Sequence, residues 1–206
     1  MTFDKTLPTK NKSAWKNTCQ FIILHHTGGW SYEGNVSVLS WQTDRQVSCH
    51  YVVWLDGKIA KIWNDTDILR HAGESSRWTL KMMNSYAIGI EVVNDGEKFT
   101  DAQMATVRTL VSELIKTYKI PVTNILRHKD ISPKRKVDIY DSFWNWKYKS
   151  FADYQNSYKD TITQVDRWII QNCLAGNSAM WNLTTNPEIR WLLEDTNNKI
   201  RSFYPL

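Results

Sequence analysis

Twelve residues, Arg127-His128-Lys129-Asp130-Ile131-Ser132-Pro133-Lys134-Arg135-Lys136-Val137-Asp138, concentrate side chains that could hold a metal ion. Imidazole and carboxylate are both ligands for Zn²⁺, and a loop cornered at Pro133 can bring His128 and Asp138 to face one ion, with Lys136 beside it. The same stretch has a plainer explanation, since Lys134-Arg135-Lys136 also reads as a solvated basic turn. What favours the chemical reading is that other parts of the chain offer a third ligand, a catalytic carboxylate and a substrate-side histidine.

The third ligand comes from His25-His26, at the end of a run from Cys19 that is apolar on both faces and ends at Thr27-Gly28-Gly29. Such a run reads as a central strand of a covered sheet. Neighbours on a strand point to opposite faces, so only one of the pair can enter a given site, and each has the alternative of being a hydrogen-bonded core histidine. The carboxylate is Glu91, in a second apolar strand at 86–93. A carboxylate there costs several kcal/mol unless it is paired or faces a polar cavity, which makes it a site candidate. Between these strands lies an irregular stretch with His71-Ala72-Gly73-Glu74, Trp78 and Asn84. It has the polar, aromatic and glycine content of a recognition loop; the alternative is a surface connection with His71 exposed to solvent.

Several elements must position these residues. Asn35 can cap a short helix carrying Val36, Leu39 and Trp41. Residues 48–55 and 58–63 are β-rich runs joined at Asp56-Gly57, a hairpin signal. Thr100-Asp-Ala-Gln103 forms a capping box ahead of a helix whose Met104, Val107, Leu110, Val111, Leu114, Ile115 and Tyr118 make one apolar stripe, with Pro121 as its stop. Residues 122–126 read as a short strand that delivers His128. Strands alternating with helices give an α/β class, a mixed central sheet flanked by helices. The expected organisation is a polar arm over 1–17, a catalytic domain over 18–146 and a helical C-terminal extension over 147–206. In that extension Tyr158, Ile162, Val165, Ile169 and Cys173 keep helical spacing, and Asn186-Pro187-Glu188 opens a helix with Ile189, Leu192 and Leu193. About 60 residues make a marginal independent domain, so the tail is expected to pack on the catalytic domain.

The 206 residues carry 26 Lys+Arg against 21 Asp+Glu, a net +5 that suits anionic partners, including an anionic envelope surface. No basic, aromatic-interleaved motif supports nucleic-acid binding. Eleven Trp offer flat faces that suit sugar rings as well as core packing. Cys19, Cys49 and Cys173 are an odd count without CxxC spacing and read as free thiols made in a reducing compartment. The N-terminal 20 residues lack the apolar stretch of a signal peptide, and no run is long enough to span a bilayer, so synthesis in the cytoplasm is expected.

Four ordered motifs, Phe21-Ile-Ile-Leu-His-His-Thr, Ser48-Cys-His-Tyr-Val-Val, Ile88-Gly-Ile-Glu-Val-Val-Asn and His128-Lys-Asp-Ile-Ser-Pro-Lys-Arg-Lys-Val-Asp, resemble the zinc N-acetylmuramoyl-L-alanine amidases, over residues 18–141. That group includes phage endolysins, the cytosolic muropeptide-recycling amidase and peptidoglycan recognition proteins. The resemblance implies a peptidoglycan amidase fold and one Zn²⁺ per chain held by His25, His128 and Asp138. It also implies Glu91 as catalytic glutamate and Lys136 as oxyanion-stabilising lysine, with His71 on the substrate side; Asn84 and Trp78 are expected there from the recognition content of their loop. The substrate implied is peptidoglycan or a muropeptide, and the protein is expected to be a monomer. The leading expectation is an endolysin made in the cytoplasm and released to the wall. The alternatives are a cytosolic recycling amidase and a non-catalytic peptidoglycan-binding module. Two departures stand out. Ile139-Tyr140 follows Asp138 where the family usually has Pro-Gly, and Cys49 stands where some phage members carry a catalytic tyrosine; it reads as a buried thiol, with His50 and His26 as structural neighbours.

Overall fold

The computed structural model describes residues 3, 5–6, 9–28, 46–94, 98–140 and 148–158. The chain divides into two compact units, Met1–Gln155 and Asn156–Leu206, and the account below concerns the first. The expected helix after Asn35, Cys173 and the tail stripes from Ile162 to Leu193 lie outside the described residues.

Ten strands are described: β1 (Lys5–Thr6), β2 (Lys12–Lys16), β3 (Phe21–His26), β4 (Tyr51–Val53), β5 (Ile59–Lys61), β6 (Asp67–Leu69), β7 (Ser76–Arg77), β8 (Leu80–Lys81), β9 (Ala87–Val92) and β10 (Ile125–Arg127). Six form one sheet in the order β1-β5-β4-β9-β3-β10, where only β4 and β5 pair antiparallel. The sheet is therefore mixed, as expected. β9 is one of the two middle strands and β3 lies beside it; both are buried along nearly their whole length, which is why both read as apolar on two faces. The β4–β5 hairpin turns at Asp56-Gly57, where Gly57 has φ +84°. A side chain there would be strained, and its Cβ would also stand 3.0 Å from the Ala102 carbonyl.

The long helix Asp101–Tyr118 starts at the expected capping box, the Gln103 N–H donating to Thr100 Oγ1 (3.1 Å) and the Thr100 N–H to Gln103 Oε1 (3.1 Å). Gln103 also donates through Nε2 to the Val93 carbonyl (2.6 Å), which ties the first turn to the end of β9. Met104, Val107, Leu110, Val111, Leu114 and Ile115 are buried along one stripe, and truncating such a leucine to alanine costs about 2–5 kcal/mol. Lys119 ends the helix in the left-handed region, two residues before Pro121.

The polar segment before residue 18 is drawn into strand pairing. β1 extends the main sheet beside β5, and β2 pairs with β6. β2 is mostly exposed, so it carries no inward apolar alternation for a sequence reading to detect. Residues 122–126, read as one strand, divide into a 3₁₀ turn at Val122–Asn124 and then β10. Beyond residue 147, Tyr148, Phe151 and Tyr154 are buried, and Gln155 Nε2 donates to the Ile125 carbonyl (2.5 Å).

Candidate metal centre and its cleft

β3, β9 and β10 run parallel, so their carboxyl ends open on one edge of the sheet, where α/β sheets present ligand crevices. In register, His25 stands beside Glu91, on the face that alternation gives to Phe21 and Ile23. β10 ends with Arg127 opposite Leu24, which brings His128, the first residue of the short helix His128–Ile131, level with His25. The loop beyond is closed by backbone bonds. The Arg135 and Lys136 N–H groups donate to the Ser132 carbonyl (3.0 and 2.9 Å), and the Lys129 N–H donates to the Asp138 carbonyl (2.7 Å). Arg135 also ties this loop to its neighbour by donating through Nη2 to the Ala72 and Glu74 carbonyls (2.7 and 3.0 Å).

These constraints bring His25, His128 and Asp138 together, all buried. His25 Nδ1 lies 2.9 Å from His128 Nδ1, and Asp138 Oδ2 lies 3.1 Å from the latter and 3.6 Å from the former. His128 Nε2 is 3.1 Å from the Ala72 carbonyl, which can only accept, so a neutral ring carries its proton there and turns a lone pair from Nδ1 inward. Burial, the largest influence, lowers the His25 pKa to about 4, so the His25 ring is neutral at pH 7. Burial alone would raise the Asp138 carboxyl, but its contacts with His128 and then His25 outweigh that and hold it below the usual carboxylate range. Lone pairs and an anion at these separations repel one another, and a cation among them removes the repulsion. The three edges bracket the donor spacing of about 3.3 Å expected around a tetrahedral ion with bonds of about 2.0–2.1 Å. The donor set thus fits a divalent metal with a fourth position left for water.

Glu91 is half-buried, and its Oε2 is fully buried without a hydrogen-bond partner among the described residues. Burial first, then the charge of Asp138, raises its pKa to about 8 against the opposing pull of Lys136. The half-buried Lys136 shares a cleft of roughly 600 Å³ with His128, Arg70, Arg135, Met82 and Trp15. Trp15 is 79% exposed and belongs to the N-terminal segment read from sequence as a polar arm. The only signal for it was a tryptophan among charged residues.

Of the three residues expected on the substrate side, His71 and Asn84 are among the residues that line this cleft, and Trp78 is not. His71 is buried, with Nδ1 3.0 Å from His25 Nε2 and Nε2 3.2 Å from the Ala87 carbonyl, so both ring nitrogens have partners within the protein. Asn84 is buried too, its Oδ1 accepting from the His71 and Ala72 N–H groups (3.1 and 2.8 Å); it shapes the loop, although it borders the cleft. Trp78 is exposed in the β7–β8 turn, its ring 6.1 Å from that of Phe21. Phe21 opens β3 and His25 lies four residues further along it, which separates Trp78's neighbour from the candidate ligand His25 by about 13 Å of strand. The other expectations agree with the geometry. Cys49 is a buried thiol donating to the Tyr51 carbonyl (3.3 Å), and its burial raises its pKa. His50 donates from Nε2 to the Asp67 carbonyl (3.0 Å) and accepts the Gly89 N–H at Nδ1 (2.9 Å). His26 lies beside the Tyr140 ring.

A parallel-sheet edge with a His-His-Asp donor set, a buried carboxylate and a lysine defines a metallohydrolase-like site. Residues 15–140 match the N-acetylmuramoyl-L-alanine amidase family model, and the chain belongs to that family. It is 40% identical over 95 residues to the 1,6-anhydro-N-acetylmuramyl-L-alanine amidase AmpD of Haemophilus influenzae, covering 45% of this chain and 52% of that one. It is 30% identical over 135 residues to the N-acetylmuramoyl-L-alanine amidase AmiD of Escherichia coli, covering 57% and 47%. The chain thus spans about half the length of these curated relatives. Among solved structures, an AmpD derivative superposes with TM-score 0.63 at 22% identity over 76% of this chain and 98% of that one. The E. coli AmiD complex with anhydro-N-acetylmuramic acid-L-Ala-D-gamma-Glu-L-Lys gives 0.57 at 27% identity over 64% and 56%. The former establishes the fold.

Proposed function

We propose that this chain is a zinc amidase that hydrolyses the amide between the lactyl group of N-acetylmuramic acid and L-alanine in peptidoglycan. The observation that carries this reading is the convergence of His25 Nδ1, His128 Nδ1 and Asp138 Oδ2 next to a buried carboxylate oxygen of Glu91 that has no hydrogen-bond partner among the described residues. Held by the three ligands, one Zn²⁺ would supply a Lewis acid and bring the pKa of a water near neutrality. Glu91 takes a proton from the attacking water and returns it to the leaving L-alanine amine. Its pKa of about 8 lies close to the working range of such a relay. Lys136 places positive charge where the amide oxygen becomes negative, and removing a donor of this kind costs about a hundredfold or more in rate. A module that only bound peptidoglycan would need neither group. Trp15, Arg70 and Arg135 line the approach with a stacking face and positive charge, suited to a sugar carrying an acidic peptide.

The proposed setting is the bacterial wall, with the protein acting as a monomeric endolysin; its net charge of +5 favours an anionic envelope. A second reading, a recycling amidase for soluble muropeptides, is favoured by the 40% identity to a protein named for the 1,6-anhydro substrate. Mass spectrometry of digested sacculi tests the reaction. Amidase action frees L-alanine amino termini and leaves glycan strands and peptide cross-links intact, whereas cleavage of either of those would refute it. Rates on sacculi against a soluble anhydromuropeptide then separate the two settings.

A further inference from the structure

His71 is 46 residues from His25 in sequence, is not a ligand, and yet touches the ligand's outward nitrogen (3.0 Å). Its proton can be located. The Ala87 carbonyl, which faces His71 Nε2 and also receives a bond from Asn17 Nδ2 (2.8 Å), can only accept. His71 Nε2 therefore carries the hydrogen, and its Nδ1 offers a lone pair. His25 Nε2 must then donate to that lone pair, which leaves His25 Nδ1 unprotonated and turned toward His128 and Asp138. The backbone of β9 thus dictates, through one intervening ring, which nitrogen of His25 can bind a metal.

The seat of that ring is Gly89. A Cβ built on Gly89 would stand 2.4 Å from His71 Cγ and 2.6 Å from its Nδ1, far inside contact distance and against a ring already held at both nitrogens. Gly89 lies within the sheet with an ordinary backbone conformation, so the requirement is one of space and not of dihedral freedom. Two residues from separate motifs, the histidine of His71-Ala-Gly and the glycine of Ile88-Gly-Ile-Glu, therefore work as one part.

We infer that His71, seated on Gly89 and anchored to the Ala87 carbonyl, is a positioning residue that fixes the tautomer and orientation of His25, so that Nδ1 is the nitrogen presented to the metal. Without it the His25 ring can present either nitrogen, and the two lie about 2 Å apart on an imidazole, enough to break the donor triangle. Losing an outer partner of this kind weakens metal binding by about 10–100-fold.

The test has two arms. In the metal-free protein, ¹⁵N NMR of the imidazoles should show His25 as a single Nε2–H tautomer in wild type and a mixture in His71→Ala. That arm needs no enzymatic activity, so it can fail or succeed whatever becomes of the amidase reading. In the second arm, chelator competition measures zinc affinity. His71→Ala should weaken it 10–100-fold, and His71→Asn, whose Oδ1 can replace Nδ1 as acceptor, should recover most of the loss. Gly89→Ala changes no polar atom and should weaken binding to the same extent, with no further loss when combined with His71→Ala. A residue that merely fills space would lower the melting temperature and leave both readouts unmoved. An unchanged His25 tautomer in His71→Ala, or zinc affinity within twofold of wild type in both single variants, overturns the inference. If Gly89→Ala does not fold, the His71 variants decide alone.

Discussion

Glu91→Gln should make the metal-free protein more stable and the enzyme nearly inactive. The carboxyl has a pKa of about 8 in the folded chain, mainly because burial disfavours its charge, against 4.5 for an ordinary glutamate. The sign follows from proton binding. Below pH 4.5 the group is protonated in both states and costs nothing. As pH rises the unfolded chain releases the proton first, so the folded state loses ground until about pH 8 and then stays level. At pH 7 the separation is about 2.5 units, which at about 1.4 kcal/mol per unit is an upper bound of roughly 3 kcal/mol; partial exposure of the side chain reduces this to about 2–3 kcal/mol. Glutamine removes this titration, and Oε2 has no partner among the described residues to lose. Urea unfolding of both chelator-treated proteins at pH 5, 7 and 8.5 reads the effect. The pH-dependent part of the difference is free of whatever the amide itself costs, because all other titrations are shared. The variant should gain on wild type by about 2–3 kcal/mol between pH 5 and 8.5, keep zinc, and lose about 10²–10⁴-fold in turnover. A difference that does not change with pH would refute the account of Glu91 as a carboxylate held against its solvation.

Three other perturbations follow from the same geometry. His25→Ala, His128→Ala and Asp138→Ala should each abolish zinc retention and activity together, while His26→Ala keeps both; metal analysis after dialysis checks this, and zinc loss in His26→Ala alone would move the ligand to the other strand face. Burial lowers the His50 pKa to about 4, so stability from its neutral ring is full above pH 6.5 and is lost as pH falls toward 4, by about 3 kcal/mol at most; thermal melts should show this acid sensitivity shrinking in His50→Gln. Truncation after Trp146 removes the buried Tyr148, Phe151 and Tyr154 along with the Gln155 bond to Ile125, and should lower the melting temperature and expose apolar surface, whereas an unchanged melt would sink the packed-extension proposal.

The parts of this molecule that were legible in its sequence are those where one local rule speaks without competition. Thr100 to Gln103 is a capping box whatever the rest of the chain does, and Asp56-Gly57 marks a hairpin through the dihedral that only glycine takes easily. β3 and β9 could be read because both faces are covered. The ligand candidates were legible as residue types placed at strand ends. Illegible were the features that depend on where a distant segment comes to rest. β2 is an exposed edge strand whose partner lies some fifty residues away, so neither it nor the place of Trp15 in the cleft leaves a periodic trace. His71 was legible as a site candidate from its His-Ala-Gly loop, but its contact with His25 was not, because that depends on where the loop comes to rest.

The signal that could have placed the His71 ring against the sheet was Gly89. A glycine inside a fully buried strand leaves a hole beside the sheet, and a close-packed interior requires something to fill it. The filler has to arrive from a loop, to be flat enough to lie on the sheet, and to satisfy its own polar atoms there. A histidine meets these demands with one nitrogen on the Ala87 carbonyl and the other left as an acceptor. That second nitrogen is the step that turns a packing solution into a functional one, because the group within its reach is the outward nitrogen of His25. Alternation along β9 then puts Glu91 two residues beyond Gly89 on the same face and beside His25 in register. The glycine that admits the positioning ring and the carboxylate proposed to move the proton are therefore successive residues on one face of one strand. A one-residue slip of β9 would displace both together, which is a physical reason for the site to be built on two strands buried along nearly their whole length.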